Sequence, residues 1–260
     1  KDALDHAVLC EQLIHKLVKL GPEGAVTGAL AAIDIACWDL KGKLAGLPVH
    51  KLLGGAWRTQ LPFYASIGGN AARTVDETVR VVERRVAKER PAAVKIRWDG
   101  DRTKVDADIP GDIAKARAVR KLLGDDFVIG FDANNGYSVG GAMRVGLSGA
   151  GVRMVQPDIV KMGGITGMMA ASALAHAHGV ALVPHQTQPS IGHLANLHVM
   201  STVMHLSKPV ELADNWERAG SIFTTPGAPV DGMCAVPTAP GLGMEFDAAE
   251  LARRSVKLSL

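Results

Sequence analysis

From residue 60 onward the chain alternates short apolar, β-branched runs with longer segments of helical periodicity, and few folds accommodate that rhythm. The runs are 61–67 (LPFYASI), 92–98 (AAVKIRW), 127–133 (FVIGFDA), 152–160 (VRMVQPDIV), 180–184 (VALVP) and 209–213 (PVELA). Between them, residues 74–90, 112–123, 167–178 and 190–205 carry helical spacing. Near-continuous apolar strands need cover on both faces, and crossover helices supply it, so the spacing predicts parallel βα units.

The polar residues gather where these strands end: Lys95 and Arg97, Asp132 and Asn134, Asp158 and Lys161, His185 and Gln186, Glu211 and Asp214. In barrels and in open α/β sheets alike the loops at that edge converge on one mouth, which makes an enzyme the expected class. The same residues would also suit solvated strand caps. Six βα units are visible, whereas a closed barrel needs eight. The interval between the strand ending at Asp132 and the one containing Asp158 is the shortest of the series. Either a six-stranded open sheet or a barrel short of two units fits that count.

Two helices precede the first strand. Leu4, Val8, Leu9, Leu13, Leu17 and Leu20 recur at helical spacing before the stop at Gly21-Pro22. A second helix runs from about Thr27 to Ala45, apolar around most of its circumference as a buried helix is, and Leu47-Pro48 ends it. With 260 residues, 47% of them hydrophobic, the chain has material for a full core. Its net charge of +3 is dispersed and its aromatic content is 4%, which argues against nucleic-acid binding. Cys10, Cys37 and Cys234 are far apart and outside any CxxC pattern, so reduced thiols and a cytoplasmic setting are expected. No apolar run approaches the ~18 residues of a membrane span, and no membrane partner is expected. The absence of an initial Met suggests a start inside a longer sequence, or processing.

Several stretches taken in order carry a resemblance. AAIDIACWDLKGKLAGLPVHKLLGG (31–55), VKIRW (94–98), GFDANNGYS (130–138), QPDIVKMGGITG (156–167), VPHQTQPSIGH (183–193) and VDGMCAVPTAPGLGMEFD (230–247) resemble the mandelate racemase/muconate lactonizing enzyme family of the enolase superfamily. The resemblance implies an α/β fold, a (β/α)-barrel of modified TIM type with a partial helical capping domain. Residues 1–57 would be the helical remnant of that capping domain, 58–225 the barrel, and 226–260 a segment returning toward the cap. Two landmarks of the family have no counterpart: the β-rich start of the capping domain, and the fourth and fifth barrel strands. GGAMRVG (140–146) reads as the start of the third crossover helix and LSGAGVRMVQPD (147–158) as the entry to the sixth strand, which puts the join near 145–148. The resemblance further implies a Mg2+ cofactor, a small-molecule carboxylate substrate and a homo-oligomer, dimer or octamer.

The α-proton of a carboxylate is very weakly acidic, so its removal needs a positioned base and electrostatic stabilisation of the enediolate. His185 ends one strand and Asp158 the visible strand before it, and a carboxylate behind an imidazole makes a competent acid–base pair. Magnesium asks for oxygen ligands. By resemblance Asp132 is one of them, with the second and third lying on the two missing strands; Asn134 would orient Asp132 or touch the substrate. Asp-Ala-Asn-Asn-Gly is equally a turn sequence. Lys95 and Arg97, at i and i+2, share a strand face and suit a substrate carboxylate, with Gln186 as a further substrate contact. They would equally serve as surface cations at a strand end.

By resemblance Glu211 is the final-strand glutamate that donates a hydrogen bond to the enediolate, which requires a raised pKa. The family often has a second lysine, the base on the opposite face, where this chain has Arg97. An always-protonated guanidinium is a poor base, so dehydration of an acid sugar is expected ahead of racemisation, epimerisation or cycloisomerisation. A shortened, non-catalytic relative is the alternative from another class.

Overall fold

The computed structural model describes residues 2–20, 24–98, 101, 103–132, 134, 154–177, 179, 181–186, 191–204, 208–213, 223 and 229–254. The expected join at 145–148 and Asp214 lie outside the described residues. Helices α1 (His6–Leu17), α2 (Ala25–Ala45) and the short α3 (Val49–Leu52) come first. Then follow β1 (Gln60–Ile67), α4 (Val75–Glu89), β2 (Ala93–Arg97), α5 (Ile109–Leu123), β3 (Val128–Asp132), β4 (Met154–Val155), α6 (Gly164–Ala177), β5 (Ala181–Leu182), α7 (Ile191–Thr202), β6 (Val210–Leu212), β7 (Met233–Ala235) and α8 (Ala248–Arg254).

Strands β3, β2, β1 and β6 form one parallel sheet in that order, with β7 antiparallel along the start of β1. Strands β4 and β5 pair with each other, and the bridge between Asp158 and His185 extends their ladder. Among the described residues β3 has no partner on its outer edge, so the architecture is that of a partial TIM barrel. The expected six strands are all present, although among the described residues β4 and β5 show two residues each of longer apolar runs. The strand β7 was not foreseen; Cys234 in it is fully buried beneath β1.

Register decides which side chains share a face. Ser66 pairs with Lys95, Lys95 with Gly130, Arg97 with Asp132, and Tyr64 with Glu211. Because alternate residues point to opposite faces, Tyr64, Ser66, Lys95, Arg97, Asp132 and Glu211 collect on one side of the sheet. The opposite side carries Ala65, Ile67, Val94 and Ile96, which pack with Val82 of α4 and Val119 of α5. Each of the buried valines and isoleucines stabilises the fold by about 1.5–3 kcal/mol. Helix α4 begins with a reciprocal capping box between Thr74 and Glu77. Helix α5 starts three residues before the expected 112, because Asp108 accepts from Gly111 N–H and Pro110 fits the first turn.

A larger core joins α2, α3, α6, α7 and the segment after β7. Asp34 of α2 accepts from the backbone N–H and hydroxyl of Thr166 in the first turn of α6, where a carboxylate suits the unpaired N–H groups and the helix dipole. Asp39 of α2 likewise accepts from Leu242 N–H, and Pro48 bridges to Gly241. The crossing is close enough that a Cβ on Gly42 would lie 2.5 Å from the Gly241 Cα. Alanine normally favours a helix over glycine by about 1 kcal/mol, so the sign is diagnostic. Gly42→Ala is expected to destabilise by about 1–3 kcal/mol in urea unfolding; a gain in stability would contradict the close contact.

Candidate active site

Glu211 lies on β6 with a fully buried side chain, and three donors converge on it. Lys95 Nζ stands 2.7 Å from Oε1, while His185 Nδ1 (3.0 Å) and Gln186 N–H (2.8 Å) both donate to Oε2. Burial alone pushes this carboxyl up, but the His185 hydrogen bond, the Lys95 charge and the Gln186 N–H outweigh it and hold the pKa at about 2. That corrects the expectation of a protonated, hydrogen-bond-donating glutamate. An ionised carboxylate only accepts, so it fixes the proton of His185 on Nδ1 and leaves Nε2 as the basic nitrogen.

The expected His185–Asp158 pair is likewise altered. The two residues are bridge partners, and His185 N–H donates to Pro157 O, so they are neighbours. The Asp158 carboxylate, however, accepts from Val160 N–H (3.0 Å) and pairs with Lys161 (3.0 Å). Local partners within its own turn capture Asp158, and the buried carboxylate that orients His185 is Glu211.

Lys95 also lies 3.4 Å from Asp132 Oδ2, and its stem passes over Gly130, where an added Cβ would stand in ordinary van der Waals contact, 3.7 Å from the Lys95 Cγ. Its ammonium sits over the Tyr64 ring, 5.6 Å from the centroid. The Tyr64 hydroxyl accepts from Gln156 Nε2 at 3.1 Å, and burial together with the nearby Glu211 charge raises the phenol well above its ordinary pKa. Tyr64 was not anticipated. Its signal was the i, i+2 relation to Ser66 on β1, which only the Tyr64–Glu211 register makes meaningful.

Asn134 stands beside Asp132 as expected, its N–H donating to Asp132 Oδ1 at 2.9 Å, and has positive φ. The turn reading of Asp-Ala-Asn-Asn-Gly therefore holds at that bond. Gln186 is buried, and Asn196 of α7 donates to its Oε1, which turns the amide toward the core. Arg97 occupies the position after Lys95 on the same face, half-buried and registered with Asp132. A cleft of about 400 Å3 reaches Tyr64, Lys95 and Asp132 beside β3, bounded further by Gln156 and Lys208. His185 lies outside that cleft, across Glu211, with its side chain 26% exposed.

Among the described residues the donors do not form a ready magnesium site. Among the described residues no three Asp, Glu, His or Cys side chains are grouped to hold a metal. Asp132 is the one ligand expected from the sequence, and both of its oxygens are engaged, by Asn134 N–H and by Lys95.

Behind the site, α7 carries His193 and His198, both buried and both held down to about 4, in each case chiefly by burial. A histidine neutral in the fold and ordinary when unfolded adds stability that is complete above pH 6.5 and lost as the pH falls toward 4. Each is expected to cost about 2 kcal/mol by pH 5. The urea midpoint should therefore fall between pH 7 and pH 5, and His193→Met should flatten that slope. A flat profile in the wild type would contradict the burial of neutral imidazoles.

The fold is that of a partial TIM barrel, whose strand ends bring carboxylate, ammonium and imidazole groups together. The chain belongs to the mandelate racemase/muconate lactonizing enzyme family of the enolase superfamily. Residues 5–54 match the family's N-terminal domain, and residues 147–250 match the enolase C-terminal domain-like family. A mandelate racemase/muconate lactonizing protein from Paracoccus denitrificans Pd1222 superposes with a TM-score of 0.95 at 59% identity, over 100% of this chain and 84% of that one. A structure of that protein complexed with magnesium gives the same TM-score and identity.

Among curated proteins, the D-galactarolactone cycloisomerase of Agrobacterium fabrum is 26% identical over 295 residues, covering 90% of this chain and 76% of that protein. The D-galactonate dehydratase of Ralstonia pickettii is 29% identical over 289 residues, covering 87% and 73%. Since 90% of a 260-residue chain enters the 295-position alignment, roughly 60 positions face no residue here, close to two βα units of a ~250-residue eightfold barrel.

Proposed function

We propose that the chain acts on the α-carbon of a small hydroxycarboxylate, an acid sugar, with His185 as the proton-transferring group. The observation that carries this is the Glu211–His185 pair, in which a buried, ionised carboxylate orients an imidazole whose other nitrogen is left for chemistry. In this reading His185 Nε2 takes the α-proton, and the enediolate charge faces Lys95. The β-hydroxyl leaves as water, carrying the proton that His185 returns, and the enol so formed tautomerises to a 2-keto-3-deoxy acid. Lys95 is committed to two carboxylates and Arg97 stays protonated, so among the described residues the second face shows no base. That favours elimination over racemisation. The dehydratases and the cycloisomerase among the relatives support a carboxylate of the aldonate or aldarate type.

Incubation with a panel of aldonates and aldarates, with EDTA and with added Mg2+, should yield a 2-keto-3-deoxy acid from at least one member. Inversion at C2 without loss of water would instead mark an epimerase. A second reading, a carboxylate-binding protein without turnover, draws on the cleft beside β3. Ligand-induced thermal stabilisation with no product would favour it.

A further inference from the structure

We propose that His6 is a pH-sensitive latch, which holds helix α1 against α2 and α6 at neutral pH and releases it in mild acid. Little else buries the helix. His6 is the one buried side chain of α1, and among the described residues the large core takes no side chain from it. Ala7, Cys10, Ile14 and Leu17 line a cavity of about 510 Å3 that they share with Leu30 of α2 and Met162, so packing atoms are missing along that side of the helix. Release of α1 would stand whichever reaction the barrel performs.

The hydrogen bonds around His6 require a neutral imidazole. The Lys41 ammonium of α2 stands 2.5 Å from His6 Nδ1, and an ammonium only donates, so Nδ1 accepts and the ring proton sits on Nε2. Nε2 meets the Thr166 hydroxyl of α6 at 3.3 Å, and that oxygen also accepts from Trp38 Nε1 at 3.1 Å. Thr166 in turn donates its hydroxyl hydrogen to Asp34. Three helices are thereby joined. A second proton on His6 would occupy Nδ1, set an imidazolium against Lys41 and leave that ammonium without its acceptor. Asp34 opposes this effect, but its Oδ1 is 3.7 Å from Nε2 and already accepts from Thr166. Burial keeps the nearby thiols of Cys10 and Cys37 neutral, and Glu11 of α1 turns to His15. Burial first, and then the Lys41 charge, lower the His6 pKa against the pull of Asp34. Latching is therefore complete above pH 6.5, the ordinary histidine value, and weakens as the pH falls below it.

Amide hydrogen exchange at pH 7.5 and pH 5.5, corrected for the intrinsic pH dependence of exchange, reads the release directly. The α1 amides of the wild type are expected to lose about five- to tenfold protection at pH 5.5, the factor by which protonation of a histidine of ordinary pKa favours the open state. His6→Asn offers Lys41 an acceptor that does not titrate. It should hold α1 protection level between the two pH values, while any loss in α7, set by His193 and His198, persists. Lys41→Met removes the ammonium and leaves Asp34 beside the ring, so the loss in α1 should shrink to about twofold or less. Equal protection of wild-type α1 at both pH values, or an undiminished loss in His6→Asn, would overturn the proposal. Should His6→Asn leave α1 unprotected at both pH values, Lys41→Met decides, and a loss as large as that of the wild type would overturn the proposal.

Discussion

Lys95→Met is expected to lower the free energy of unfolding by about 3–5 kcal/mol, the cost of removing one partner from a buried ion pair. The substitution keeps the length and most of the volume of the stem, so the loss would be electrostatic. Glu211 would keep His185 and the Gln186 N–H but lose its ammonium, and Asp132 would face it across the sheet without a cation between them. A buried carboxylate deprived of its counter-charge either stays ionised at high cost or takes up a proton, and both outcomes destabilise the fold at neutral pH. Lys161→Met is the comparison, because Lys161 pairs with Asp158 while 66% exposed, and such pairs contribute about 0–1 kcal/mol. Chemical unfolding followed by circular dichroism measures both. Equal effects would show that Lys95 is not the keystone of the mouth.

His185→Asn is expected to lower turnover of the acid sugar by roughly 10²- to 10⁴-fold, the usual contribution of a positioned general acid–base group. Asparagine retains a donor for Glu211 and is close in size to the near half of the imidazole, so the carboxylate stays partnered and the fold should survive. It carries no group that accepts a proton at neutral pH. The loss should therefore fall on kcat, with substrate binding held by the cations on the sheet face. Glu211→Gln should also reduce kcat, because the amide no longer fixes the His185 proton on Nδ1, and should cost stability through Lys95. Asp158→Asn should cost less than either, since its carboxylate turns to Val160 and Lys161. A larger loss in Asp158→Asn than in Glu211→Gln would reverse the assignment of the orienting carboxylate.

Much of this architecture was legible in the chain, and the failures have physical causes. Strands β1, β2, β3 and β6 were readable because β-branched and apolar residues run together there, and their polar ends marked one edge. Strands β4 and β5 stop earlier on their C-terminal side than expected because an apolar run such as VALVP does not reveal where its ladder stops; Pro157 and Pro184 lack the N–H groups that would continue it. The short interval after Asp132 pointed to a shortage of two βα units, and the alignments with longer relatives agree with it. At the site, the residues were identified but not all of their partners. His185 was paired with Asp158 from strand order and from the family resemblance. Its partner Glu211 instead reaches it from β6, a strand of the other sheet. Glu211 was expected to be protonated because the resemblance gave it the part of a hydrogen-bond donor to the enediolate. Its contact with Lys95 spans β1, since Tyr64 registers with Glu211 and Ser66 with Lys95. No local pattern encodes that.

The measurement that bears most directly on the His185–Glu211 pair is deuterium uptake at C2 of an aldonate incubated with the protein in D2O, followed by proton NMR. It reads α-proton removal itself, whatever product follows, and is run with EDTA and with Mg2+. Wild type is expected to exchange or eliminate that proton, His185→Asn to lose the reaction, and Asp158→Asn to retain most of it. Undiminished exchange in a folded His185→Asn, or no exchange by wild type with aldonates that it demonstrably binds, would contradict the assignment of this pair as the proton-transferring centre.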